Sequence, residues 1–314
     1  MLLGRYVFEC ALTSDAVLPA YKGSTFRGVF GRALKSVVCA LKNRECSECL
    51  LSGRCLYAVV FEPQRDTGSG RKRIQSPPHP YVIEPPAEDK TSYAAGDHFD
   101  FTLLLFGEAN ANLPYFVYAI EHMGSFGIGR RVNGKAGSYR LESVRAQGRQ
   151  VYCGEGRTLH KGDFAQAFDA ADLLRPAAGS NGQRTIGVRL LTPLRLKYQN
   201  RLEPALPFHV LVRAALRRIA ALFERFDGAE PALDYRGLVR RAEEVRTATS
   251  NIRWHDWRRY SNRQEAAMLM GGMTGEIVYE GDVADFVPLL RLAEQVHLGK
   301  QTTFGLGRIE VFEP

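Results

Sequence analysis

The segment HLGKQTTFGLGR, residues 297–308, concentrates groups that suit an anion. Gly299, Gly305 and Gly307 let the backbone reach positive φ, where successive N–H groups turn inward to form an anion-binding concavity. Lys300 and Arg308 place fixed charge beside it. No Gly-Lys-Ser/Thr opens a following helix, and the order is helix, loop, strand, so neither a Walker A loop nor a dinucleotide fingerprint fits. A polyanion laid across the surface suits the loop better; the alternative is a tight crossing before an edge strand. A second concentration lies between residues 236 and 263, where eight arginines face three acids and include Arg253, Arg258 and Arg259 with Trp254, Trp257 and Tyr260 among them. Guanidinium groups pair with phosphates and stack on bases, and indole rings offer platforms to unpaired bases, a mixture that suits RNA. The alternative is a solvated helix face with two core tryptophans. Near the N-terminus, Lys22, Arg27 and Arg32 surround the glycine-rich helix start KGSTFRGVFGR, whose free N–H groups favour a phosphate or whose glycines serve close packing.

Four cysteines, Cys39, Cys46, Cys49 and Cys55, fall within seventeen residues. Their thiolates could hold a structural tetrahedral zinc, with free thiols and an iron–sulfur cluster as alternatives. Such a closed site would staple a loop and take no part in chemistry. The 314 residues carry 42 Lys+Arg and 34 Asp+Glu, a formal charge of +8, which favours an anionic partner. No apolar run reaches the roughly 20 residues of a membrane span, and MLLGRYVFEC lacks a signal peptide's features. A cytoplasmic protein without a membrane partner is expected.

Periodicity supplies the elements that must position these groups. RYVFECALTSDAVLP alternates as a strand, AYKGSTFRGVFGRALKSVVCALK has helical spacing, and CLYAVVFEP, YVIEP and HFDFTLLLFGEA read as strands before the helix NLPYFVYAIEHMGS. After a linker at 173–183 the pattern restarts, with the strand RTIGVRLLTPLRLK, the helix PFHVLVRAALRRIAALFERF, the strand GGMTGEIVYEG, the helix DFVPLLRLAEQVH and the strand GRIEVFE. Each half follows the ferredoxin-like βαββαβ order. The fold class is therefore α+β, with ferredoxin-like (RRM-like) domains at 1–172, carrying a Cys-rich insertion at 39–55, and at 184–314, carrying the glycine-rich loop at 299–307. A duplication is further suggested by HMGSFGIGR (122–130) against HLGKQTTFGLGR, which pairs His122 with His297, and by Leu18-Pro19 against Leu206-Pro207. The first copy adds Arg130 and Arg131 to the candidate RNA contacts.

HLGKQTTFGLGR, the upstream WHDWRRYSNRQEAAMLMGGMTGEIVYEG and the N-terminal YKGSTFRGVFGRAL with its cysteines together resemble the CRISPR-associated precursor-crRNA processing endoribonucleases of the RAMP superfamily. The resemblance spans nearly the whole chain. It implies tandem ferredoxin-like domains, CRISPR repeat RNA as substrate, and cleavage within each repeat that needs no metal or other cofactor. Attack by the 2′-hydroxyl would leave a 2′,3′-cyclic phosphate and a 5′-hydroxyl. Such chemistry requires a base, an acid and cations, and histidine titrates in the useful range. His297, beside the glycine loop and Lys300, is the first catalytic candidate; His255, with cations on both sides and Asp256 as a candidate orienter, is the second. The family's histidine on or just after the first helix has no counterpart in residues 1–78, where Tyr21 and Lys22 are the remaining candidates. The alternatives are a non-catalytic RNA-binding subunit of a CRISPR effector complex and a homodimeric scaffold.

Overall fold

The computed structural model describes residues 1–41, 45–63, 77–174, 184–197, 204–261 and 266–314; the side chains of 174, 258–261 and 266–269 lie outside that description. Two compact units result, Met1–Ala167 and Phe168–Pro314. Residues 168–172 thus group with the second unit, where Ala170–Leu174 forms a short 3-10 turn. Positions 175–183 of the expected linker are outside the described residues.

In the first unit, β1 (Leu2–Leu12) turns Tyr6, Phe8, Cys10 and Leu12 inward at period two. After β2 (Ala16–Val17), α1 (Gly23–Val38) buries Phe26, Phe30, Ala33 and Leu34, one apolar stripe at helical spacing. Next come α2 (Leu56–Phe61), β3 (Tyr81–Glu84), β4 (Ser92–Tyr93), β5 (His98–Phe106) and α3 (Leu113–Phe126), the last opened by a proline in its first turn. The chain continues through β6 (Ile128–Val132), β7 (Lys135–Gly137), β8 (Tyr139–Ala146), β9 (Arg149–Cys153), β10 (Thr158–Leu159) and β11 (Ala165–Ala167). The main sheet runs β10-β9-β8-β1-β5-β3, with β11 alongside the start of β1. Its central order β8-β1-β5-β3, with α1 and α3 as the connecting helices, is the antiparallel ferredoxin-like arrangement. A small second sheet runs β4-β2-β6-β7. The run expected as the strand CLYAVVFEP is instead α2, which seats Phe61 against Phe30 and Tyr81.

The second unit repeats the plan. β12 (Thr185–Leu194), α4 (Phe208–Phe226), α5 (Tyr235–Glu243), β13 (Arg246–Ser250), β14 (Arg253–Ser261), β15 (Ala266–Glu280), α6 (Val287–Val296) and β16 (Ile309–Phe312) follow in order. The sheet order is β13-β15-β12-β16, and β14 continues along β15 beyond β13. The Arg-rich stretch is thus helical only to Glu243; the tryptophans stand on a strand. No described helix is long and apolar enough to cross a membrane.

Two expectations test this packing. A Cβ at Gly124 in α3 would lie 2.2 Å from the Tyr139 carbonyl oxygen of β8, so Gly124→Ala must lift the helix from the sheet. Overpacking outweighs the gain in helix propensity, and thermal unfolding should show a net loss of about 1–2 kcal/mol. Burial, with Asp163 adding to it, pushes the Tyr6 phenol up to about 12, and burial lifts Tyr81, Tyr139 and Tyr279 further. Folded-state values above the ordinary 10 mean that stability from these groups is complete below pH ~10 and falls as pH rises above it. A pH series of thermal unfolding should show that alkaline decline.

Candidate nucleic-acid interface

α6 ends at Val296, and the chain turns back at His297, a non-glycine residue at φ 58°, ψ 146°. His297 is fully buried, and its Nδ1 donates to the Leu306 carbonyl at 3.0 Å. From α4, the half-buried Arg218 donates to the Val296 carbonyl at 3.1 Å, and desolvation of its guanidinium pulls it down to about 10. Thr192 at the end of β12 donates to the Gly305 carbonyl at 2.8 Å and accepts from the Arg308 N–H at 2.9 Å. The N–H groups of Leu298, Lys300, Gly305 and Gly307 go to the carbonyls of Gly307, Arg195, Thr302 and Pro193. Gly307, at φ 76°, allows no side chain, because a Cβ would lie 1.8 Å from the Leu298 carbonyl oxygen.

These bonds correct two expectations. Gly305 and Gly307 are buried and donate into the protein rather than outward, so they form no open phosphate clamp. His297 points into the fold because its ring fastens the loop, and it is not presented to solvent. What the loop exposes is Gly299 and Lys300, with Arg308 half-buried beside them.

The first unit contains the same turn. α3 is followed by Gly127 at φ 74°, ψ 158° and by Gly129 at φ 87°, just as α6 is followed by His297 and by Gly299 at φ 78°. A Cβ on Gly129 would strike the Val17 carbonyl oxygen and Leu18; one on Gly299 would strike the Arg195 carbonyl oxygen and Leu196. The structural partners are therefore Gly127 with His297 and Leu18 with Leu196. His122 lies within α3 and is not the counterpart of His297. Arg130, the counterpart of Lys300, and Arg131 are exposed on β6.

Strand geometry sorts the Arg-Trp segment by face. His255 and Trp257 share one face, their rings 5.9 Å apart at 30°, with Arg253 two residues before. Trp254 and Asp256 share the other, over Gly271, where a Cβ would lie 1.8 Å from Asp256 Oδ1. Asp256 therefore cannot orient its neighbour His255. Arg258 and Arg259 continue the strand, and their side chains lie outside the described residues. The ribbon meets the glycine loop through the end of β12: Met273 pairs with both Leu194 and Trp254, and Gly299 and Lys300 sit on Arg195. Arg195 and exposed Lys197, in the sequence LRLK, thus join the cationic surface; only tertiary pairing distinguishes them from any other basic strand end.

The N-terminal candidates fare differently. Lys22 is fully buried, and its Nζ donates to the carbonyls of Ala20 and Glu88. Burial pulls its ammonium below the usual lysine range, against the opposing pull of Asp89 and Glu88. Burial, then Glu84, pushes the Tyr21 phenol far above its ordinary value. Tyr21 therefore holds its proton more tightly than a free phenol, and Lys22 is committed to two backbone carbonyls. Arg27 lies over the Phe61 ring at 5.3 Å, whereas Arg32 is exposed, over the Phe126 ring at 5.2 Å. Cys39, Cys46, Cys49 and Cys55 are free and half-buried. Among the described residues no three His, Cys, Asp or Glu side chains are arranged to hold a metal ion, so this geometry gives the expected zinc no support.

Comparison with known proteins places this architecture. An uncharacterized protein of Archaeoglobus fulgidus is 26% identical over 297 residues, 92% of this chain and 91% of the relative. A Cas6 product complex superposes with a TM-score of 0.58 at 17% identity, covering 99% of this chain and 100% of that one. Thermus thermophilus Cas6 gives 0.54 at 15% identity, covering 99% and 98%. Residues 1–164, more than half of the chain, match the N-terminal domain of the AF_1859_N family. Residues 188–309, which hold the ribbon and the glycine loop, match CRISPR-associated endoribonuclease Cas6. The chain belongs to the family built on that N-terminal domain, and its second half matches the Cas6-type CRISPR-associated endoribonuclease model over residues 188–309.

Proposed function

We propose that this protein cleaves precursor CRISPR RNA within its repeats, without a metal ion, by attack of the 2′-hydroxyl on the adjacent phosphorus. The bond to the 5′-oxygen breaks, giving a 2′,3′-cyclic phosphate upstream and a 5′-hydroxyl downstream. The observation that carries the reading is the meeting, at the end of β12, of an exposed histidine ribbon with an exposed cationic loop. His255 is the proton-transfer group. It takes the 2′-hydroxyl proton, and the 5′-oxygen acquires a proton as it leaves. Lys300, Arg308, Arg195 and Arg253 face the charge that builds on phosphorus, and Trp257 beside His255 offers a stacking plane. His297 supports this site from inside as the fastener of the loop.

A second reading, a non-catalytic RNA-binding subunit, draws on a specific observation: α1 carries no histidine, and Lys22 at its start is buried. Incubation of end-labelled repeat RNA in excess EDTA separates the two. We expect discrete wild-type cleavage, lowered about 10²- to 10⁴-fold by His255→Ala with no change in melting temperature. His297→Ala should instead lose about 2 kcal/mol of unfolding stability, since the buried Leu306 carbonyl loses its partner. Cleavage that survives His255→Ala at the wild-type rate refutes the assignment. Tight, salt-dependent RNA binding with no product from the wild type favours the binding subunit.

A further inference from the structure

The exposed face of α3 carries Tyr115, Tyr118, His122 and Phe126. Spacings of three, four and four residues put them in one line, about 16 Å long at helical rise. Tyr115 is 53% exposed, Tyr118 54% and Phe126 36%. Three of the rings form a continuous row: Tyr118 and His122 lie within 8° of parallel at 6.5 Å, and His122 and Phe126 are 4.6 Å apart. Apolar side chains of this size are normally turned inward, and α3 already has a buried stripe in Phe116, Val117, Ile120 and Met123. A second, outward stripe needs another explanation.

We propose that this row is a stacking track for an unpaired segment of RNA, a second contact on the first unit that rests on the RNA-binding reading above. Three features choose RNA over a protein partner. The exposed large apolar side chains on the helix are aromatic, with no aliphatic residue among them, which suits planar bases rather than the mixed side chains of a protein groove. Cations mark one end of the row: Arg32 sits over the Phe126 ring, and the chain leaves that ring directly into β6 and β7, where Arg130, Arg131 and Lys135 are exposed. The single acid of α3, Glu121, is held by Arg157 through two hydrogen bonds of 2.9 Å, so it offers little repulsion to a phosphate. Bases would stack on the rings while Arg32, Arg130, Arg131 and Lys135 take the backbone charge.

Repeat RNA carrying 2-aminopurine at successive single-stranded positions tests this track. With the wild type, binding should quench the fluorophore at two or three positions, as ring stacking requires. Tyr118→Ala/His122→Ala should abolish that quenching and weaken binding at least about fivefold per ring. Tyr118→Phe, which keeps the ring, should retain both quenching and affinity. Arg32→Ala should instead flatten the logarithmic salt dependence by about 0.7, one phosphate contact on a single strand. Unchanged melting temperatures will show that the variants are folded. If the wild type binds repeat RNA and the double variant binds it equally with the same quenching, the track is refuted and the face is left to a protein partner. Failure of the wild type to bind RNA at low salt would overturn the RNA-binding reading itself, and the track with it.

Discussion

The turn that carries the chain from α6 toward β16 is made by a histidine in a backbone region where side chains are rare. Such a conformation costs roughly 1–3 kcal/mol, and a glycine would adopt it with less strain, as Gly127 does in the first unit. Histidine adds a ring that reaches across the loop to the Leu306 carbonyl inside the fold. With that bond in place, the loop closes on itself and on Thr192, Pro193 and Arg195. Its amides are used internally, and Lys300 is what remains outside. Strain at His297 is thus matched by a network in which each bond fixes a position that the next one needs.

The same strand end joins loop to ribbon, and charge is distributed to match. On the body of the second unit, acids are taken up by neighbouring arginines: Arg189 holds Glu276 and Glu310, Arg246 holds Glu280, and Arg241 holds Asp285. Exposed pairs of this kind contribute little to stability. They do neutralise the body. Among the described residues Arg253 and Lys300 have no ion-pair partner, so positive charge is concentrated where the ribbon and loop meet, as a polyanion requires.

How far this was legible in the sequence depended on the length of the pattern. β1 and α1 announce themselves because Tyr6, Phe8, Cys10 and Leu12, then Phe26, Phe30, Ala33 and Leu34, repeat long enough to fix a period. The six residues of α2 do not, so an apolar run that packs as a helix reads equally as a strand. His297 was found for the right neighbourhood and the wrong reason. Its position at a helix end is visible, but nothing in a sequence shows a non-glycine residue at positive φ. The shared Phe-Gly-x-Gly-Arg string also misdirected the alignment of the two halves, since backbone angles pair Gly127 with His297 five residues away from the string's own match at His122. The aromatic row of α3 was present in the letters and merged with the buried stripe of the same helix, because both share one period.

Rigidity bears on which group of the ribbon can do chemistry. A two-stranded ribbon is marginal on its own, and β12 supports β15 only as far as the Leu194–Met273 pair. His255 pairs with Gly272, one step beyond that pair, while Arg258 and Arg259 pair with Leu269 and Met268 further out. The step is short enough for the histidine to share the order of the three-stranded sheet. A proton donor or acceptor must be placed to within about half an ångström, and of the two histidines first considered for this role only His255 is both exposed and anchored in this way.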